Sequence, residues 1–187
     1  MKDTKTKIVI GAIKAFSKKP SASMEEIAES INLNRRTLHR YFSSKAELIA
    51  EITQHTTMHC LYKTKEAIQS STNPINQLKT MFLSDIEDGY QFRFLYNYTD
   101  NFYDYEEDSP EFKEMMDIFR KLLKDLSESN LLNPNYSLDW LESFYFSTID
   151  AAINLIQKDN NNANKIKQMA WMSYLQGISI VKENINK

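Results

Sequence analysis

The sequence predicts an all-α chain of about nine helices: an N-terminal three-helix helix-turn-helix module, then a larger C-terminal helical domain. Three observations carry this. Only 3 Gly and 4 Pro interrupt 187 residues, so long stretches run without a turn former. Apolar residues recur at helical spacing along the chain, and no stretch alternates as a strand does. Helix starts are written in the side chains. Ser23-Met24-Glu25-Glu26 and Ser44-Lys45-Ala46-Glu47 both match the capping box, in which Ser accepts from a backbone N–H three residues on and Glu reaches back.

The first helix is expected over Thr4–Lys18, with Ile8, Ala12, Ala15 and Phe16 inward and Lys5, Lys7, Lys14 and Lys18 outward. Lys19-Pro20 stops it. The second, from Met24 to Ser30, buries Ile27 and Ala28. Asn34 caps a third that buries Leu38 and ends near Phe42. Phe16, Ile27, Ala28, Leu33, Leu38 and Phe42 then form a core too small to stand without further packing.

The fourth helix starts at Ser44 and meets no breaker until residues 70–74, roughly 25 residues or near 40 Å. Pro74 opens a fifth, with Leu78, Met81, Phe82 and Ile86 inward and Gly89 as its C-cap. Residues 90–101 are dense in aromatics, and 100–108 form an acidic link. Ser109-Pro110 starts a helix that runs to about Ser127. Two long helices close the chain, over 138–157 and 163–184. The domains divide as 1–46 and 47–187.

Composition narrows the function. No apolar run is long enough to span a membrane. A single Cys, Cys60, excludes an internal disulfide framework and fits a reducing, cytoplasmic compartment. The basic, then apolar, N-terminus is broken by Lys14 and reads as an amphipathic helix rather than a signal peptide. Residues 1–50 hold 10 Lys/Arg against 5 Asp/Glu, a balance of +5. Residues 51–187 hold 13 against 20, a balance of −7, and the two give the chain's −2. The basic part is thus the part suited to a polyanion. It coincides with helix, tight turn and helix over residues 23–47, and the second of these helices carries Arg35, Arg36, His39 and Arg40.

Ile27-Ala28 followed by Leu33-Asn34-Arg35-Arg36-Thr37-Leu38-His39-Arg40-Tyr41-Phe42-Ser43-Ser44-Lys45 resembles the tetracycline-repressor (TetR) family of transcription regulators. The likeness covers about a quarter of the chain. Asn32 stands where the family's turn usually has Gly, and His39 stands where it usually has Tyr. The link into Ser23 is shorter than usual. The resemblance implies that Arg35 and Arg36 reach base edges, as Arg does at guanine. It implies that Thr37 and His39 touch phosphate or sugar, that Ser23 contacts phosphate, that Tyr41 lies against backbone or a thymine methyl, and that Lys45 pairs with phosphate. The partners it implies are double-stranded operator DNA, a second copy of the chain and a small-molecule effector. The function it implies is a repressor that the effector releases. A DNA-binding regulator without a ligand is the alternative.

The last two helices carry apolar residues on more than one face, one for the chain's own core and one for a second copy. The partner-facing stripes are expected at Leu141, Tyr145, Thr148 and Ala152, and at Ala170, Ser173, Gly177 and Val181, the latter small enough for close approach. His59, Tyr62, Phe82, Phe94, Tyr98 and Phe144 are the candidates for an effector pocket, suited to a flat or greasy molecule. His55 and His59 at i, i+4 lack a third ligand, so no metal is expected. No cofactor motif, paired Glu-x-x-His or nucleophile motif is present, which sets an all-helical enzyme low.

Overall fold

The computed structural model describes residues 4–98 and 109–180. The described residues form nine α-helices: α1 (Thr4–Lys18), α2 (Met24–Ser30), α3 (Arg35–Tyr41), α4 (Lys45–Gln69), α5 (Pro74–Glu87), α6 (Gly89–Tyr98), α7 (Pro110–Glu128), α8 (Leu138–Lys158) and α9 (Ala163–Ile178). A 3-10 turn at Asn160–Asn162 joins the last two. No strand occurs among them, only a single bridge between Leu132 and Ser179. The all-α class is as expected. The 100–108 link, Val181 and the Tyr98 side chain lie outside the described residues.

The chain divides into two compact units, Met1–Leu61 with Tyr90–Phe112, and Tyr62–Gly89 with Lys113–Lys187. In the first, Ile8, Ala12, Ile13 and Phe16 of α1, Ile27 and Ala28 of α2, and Leu38 of α3 are buried, together with Phe42, Leu48 and Ile52. Phe94 of α6 adds a ring 6.1 Å from that of Phe16. This is the further packing that a core of so few residues needs. Ala15 and Leu33, expected inside, are half-buried.

Ser23 makes the full capping box: its hydroxyl accepts from the Glu26 N–H at 3.2 Å, and Glu26 accepts from the Ser23 N–H at 2.7 Å. At α4 the expected box is split. Ser44 accepts from the Glu47 N–H at 3.1 Å, but the Glu47 carboxylate reaches past it to the N–H and hydroxyl of Ser43. The turn between α2 and α3 places Asn32 at φ 55°, a left-handed conformation that Asn tolerates better than most residues. Gly89 is corrected: Asp88 caps α5, and Gly89 opens α6 in ordinary helical backbone. Its lack of a side chain serves closeness, since a Cβ there would lie 3.1 Å from Ile153.

Gly11 is tighter still. A Cβ would stand 2.1 Å from Ile31 Cγ2 and 3.3 Å from its Cβ, so a branched, stiff neighbour would have to move. Gly11→Ala is therefore expected to destabilise the chain by about 1–3 kcal/mol, read as a lower urea midpoint with an unchanged slope. A midpoint at or above the wild-type value would show that α1 and α2 part more easily than this geometry allows.

The second unit is built on aromatics. Phe82 of α5 stacks on Tyr174 of α9 at 5.3 Å and meets Tyr145 of α8 edge-on at 5.4 Å. Trp171 lies 5.6 Å from Phe82, and Phe119 of α7 lies 4.6 Å from Tyr145. Arg120 and Glu142 form a two-pronged ion pair between α7 and α8, at 2.9 and 3.1 Å.

Candidate nucleic-acid interface

The turn chemistry above is what aims α3. Asn34 caps it by accepting from the Thr37 N–H at 2.7 Å. Leu38 is 0% exposed and pins the helix to the core, so the opposite side faces out. Arg36 and Arg40 are exposed on that side, Arg35 is exposed one turn before Leu38, and Thr37, His39 and Tyr41 are half-buried. All seven residues expected to meet DNA fall in the first unit.

Their surroundings differ. Arg36 has no ion pair or hydrogen bond among the described residues. Arg35 pairs with Glu25 of α2, and its Nε–H points at His39 Nε2, 3.4 Å away. The Arg40 guanidinium lies 5.3 Å from the Tyr41 ring centre. Lys45 places its ammonium 5.2 Å from the Phe16 ring centre, a cation–π contact rather than an ion pair. Ser23 is half-buried, with its hydroxyl engaged in capping. Just before it, Lys19 pairs with Glu26 and ties the link to α2. That ammonium, then the Ser23 backbone N–H, hold the Glu26 carboxyl down to about 2.

The expected pocket residues are spread over both units. Phe94 is 0% exposed beside Phe16, and His59 is half-buried on α4. In the second unit Tyr62 is exposed, its hydroxyl donating to Glu66 at 2.7 Å. Phe82 is fully buried, and Phe144 is half-buried, with its ring 5.4 Å from that of Tyr174. Within the first unit a groove of about 340 Å³ is lined by Ala50, Thr53, Gln54, Thr57 and Met58 of α4 with Ser109 and Glu111. None of the expected residues lines it. No group of three or more metal-ligating side chains occurs among the described residues.

The expected dimer stripe on α8 is corrected. Leu141 and Tyr145 are 1% exposed and Ala152 is 2% exposed, all turned into the chain's own core. Thr148 is half-buried and donates to the Phe144 carbonyl at 2.7 Å. The face left open is the neighbouring one. Trp140 (56%) and Leu155 (49%) stand out on α8, and Met169 (54%) and Met172 (47%) on α9. On α9, Ser173 and Gly177 are exposed and Ala170 is half-buried. Gly177 lets α9 approach α8, since a Cβ there would lie 2.6 Å from Phe144. Periodicity finds both apolar faces of such a helix but does not say which turns inward.

Sequence reasoning passed over Asp85. It lies on α5 in register with Leu78, Met81 and Phe82, and its Oδ2 accepts from the Tyr145 hydroxyl at 2.7 Å. Burial pushes its carboxyl up to about 7, against the Tyr145 hydrogen bond, which lowers it. The signal was an acid on an apolar stripe. Glu25 was also passed over as a partner of Arg35, because an ion pair between two helices leaves no local pattern.

A helix-turn-helix whose second helix is pinned by a leucine and carries exposed arginines is the arrangement of a DNA-binding module. Residues 8–52 match the family described as bacterial regulatory proteins, tetR family. That segment is similar to the DNA-binding part of the TetR family, whose members are DNA-binding transcriptional regulators. Solved structures show the same fold along nearly the whole chain. The ketosteroid transcriptional regulator KstR2 of Mycobacterium tuberculosis is similar with a TM-score of 0.73 at 17% identity, over 96% of this chain and 97% of that one. A TetR family regulator from Marinobacter aquaeolei VT8 gives 0.67 at 13%, over 94% and 95%. LfrR from Mycobacterium smegmatis, in complex with proflavine, gives 0.64 at 20%, over 95% and 98%. A search of the curated proteins finds no match. No helix among the described residues is long and apolar enough to cross a membrane.

Proposed function

We propose that the chain binds a two-fold operator as a homodimer, with α3 in the major groove, and represses transcription until a small-molecule effector releases it. The observation that carries the DNA reading is the exposure of Arg36 and Arg40 opposite Leu38, which locks the helix to the core, with Arg35 exposed at the helix start. Arg36, with no competing ion pair among the described residues, reads a base edge, and Arg35 reads another. Thr37, His39, Tyr41 and Ser23 lie against the backbone. Lys45 leaves the Phe16 ring for a phosphate, a contact worth only about 0.5–1 kcal/mol where exposed. The second copy docks on the open face of Trp140, Leu155, Met169, Met172 and Gly177.

A flat, aromatic, cationic effector suits the second unit. There Asp85 accepts from the Tyr145 hydroxyl, and the Tyr145 ring packs against those of Phe82 and Tyr174; the similar LfrR is seen in complex with proflavine. The protein acts by binding, in the cytoplasm, without catalysis, metal or cofactor.

The test is selection of bound duplexes from a random pool by the wild-type chain, then titration of the selected site. Arg36→Ala is expected to lower affinity for that site by roughly tenfold to a hundredfold, while sedimentation shows the same dimer. Unchanged affinity removes Arg36 from base reading. A pool that yields no preferred sequence overturns the operator reading itself.

A further inference from the structure

We propose that Glu25 is a specificity-determining residue of the DNA interface, a positioning carboxylate that aims the Arg35 guanidinium. The inference rests on the base-reading role given to α3. Glu25 is the second residue of α2 and Arg35 the first of α3, so the Asn32 turn brings them side by side. Glu25 Oε1 forms an ion pair with Arg35 Nη1. One turn along α3, His39 Nε2 faces the Arg35 Nε–H at 3.4 Å. His39 thereby engages the Nε–H, and the carboxylate holds the guanidinium by its Nη1. The N–H groups at its far end are left to form the fork that a guanine edge accepts.

The pair does little for the fold. The two side chains keep 63% and 50% of their surface, and ion pairs that exposed contribute little to stability. Its consequence is where Arg35 points and what else it is free to bind. Arg35 begins a helix, where the positive end of the dipole repels a cation, and the Glu25 carboxylate offsets that. Without the carboxylate, a long cationic side chain beside the duplex takes whichever phosphate comes near. Such contacts raise affinity for every sequence alike and carry no base information. Glu25 also adds a negative charge beside the DNA backbone, which lowers the affinity of the wrong complexes first. Of the module's other acids, Glu26 pairs with Lys19 and caps α2, and Glu47 accepts from Ser43.

The experiment uses the full chain and one random duplex pool, selected in parallel by wild type, Arg35→Ala, Glu25→Gln and Glu25→Asp. Arg35→Ala marks the base pair that Arg35 reads, by loss of preference there. Glu25→Gln is expected to lose preference at that same base pair by about tenfold and to bind unselected duplex more tightly. Its salt dependence should steepen by about one phosphate contact. Glu25→Asp, which keeps the charge, should restore much of the preference. Full preference in Glu25→Gln overturns the proposal, and so does an equal loss of affinity for all duplexes. If Arg35→Ala leaves every position unchanged, base reading by Arg35 falls and this inference falls with it. The Arg36→Ala titration then shows separately whether α3 reads DNA at all.

Discussion

Trp140→Asp is expected to turn the dimer into a folded monomer and to weaken operator binding by roughly 10²-fold or more, the avidity that two linked half-sites supply. Trp140 is 56% exposed in the single chain, and its recorded ring contact is with Phe144 at 6.4 Å. Little of the core depends on it, so the chain should keep its helical signal and a cooperative melt. In the proposed dimer the same position is covered by a second copy, and a carboxylate there would be buried without a partner. One module alone then meets one half-site. Sedimentation at low micromolar concentration and titration of the selected operator read the two effects separately. A Trp140→Asp chain that stays dimeric puts the interface elsewhere. Leu141→Asp is the contrasting control. At 1% exposure its carboxylate would enter the chain's own core, so the expected result is unfolding rather than monomer.

Those neighbouring residues show where a sequence stops being readable. Helix starts were legible because a cap is local chemistry: Ser23, Asn34 and Ser44 each accept from an N–H three residues on. The left-handed turn at Asn32 was legible only through the resemblance, in which Gly usually stands there. The α8 face was not. Leu141 and Tyr145 recur as regularly as Trp140 and Phe144, and only the packing of α5 and α9 decides which pair is enclosed. Phe94 likewise gives no local sign that its partner is Phe16, 78 positions away in the chain. At α3 the residue types were legible and their tethers were not. The Glu25–Arg35 pair depends on how α2 crosses α3, and the Lys45 contact with Phe16 depends on how α4 leaves the module.

Asp85 yields the second large effect, in the pH dependence of stability. Its carboxyl is raised from an ordinary 3.8 to about 7, chiefly by burial, with Asp88 adding to the rise. Tyr145, 1% exposed, donates to it. The unfolded chain therefore ionises this group near pH 4, while the fold keeps it protonated until about pH 7. Below pH 4 the contribution to stability is complete. It is lost as pH rises to 7 and stays lost above, amounting to roughly 4 kcal/mol at about 1.4 kcal/mol per pH unit. Asp85→Asn keeps the shape and an acceptor for the Tyr145 hydroxyl but does not ionise. It is expected to match the wild type in urea at pH 4 and to exceed it by a few kcal/mol at pH 8. The exposed carboxylates of Glu26 and Glu47 are shifted downward and act in the opposite sense, at lower pH. They are common to both chains, so the difference between wild type and variant isolates Asp85. Equal pH profiles would mean that Asp85 is ionised within the fold. A cationic effector seated against this carboxyl would then bind without having to displace its proton, and its affinity would not rise between pH 5 and pH 8 as it does when the site must first ionise.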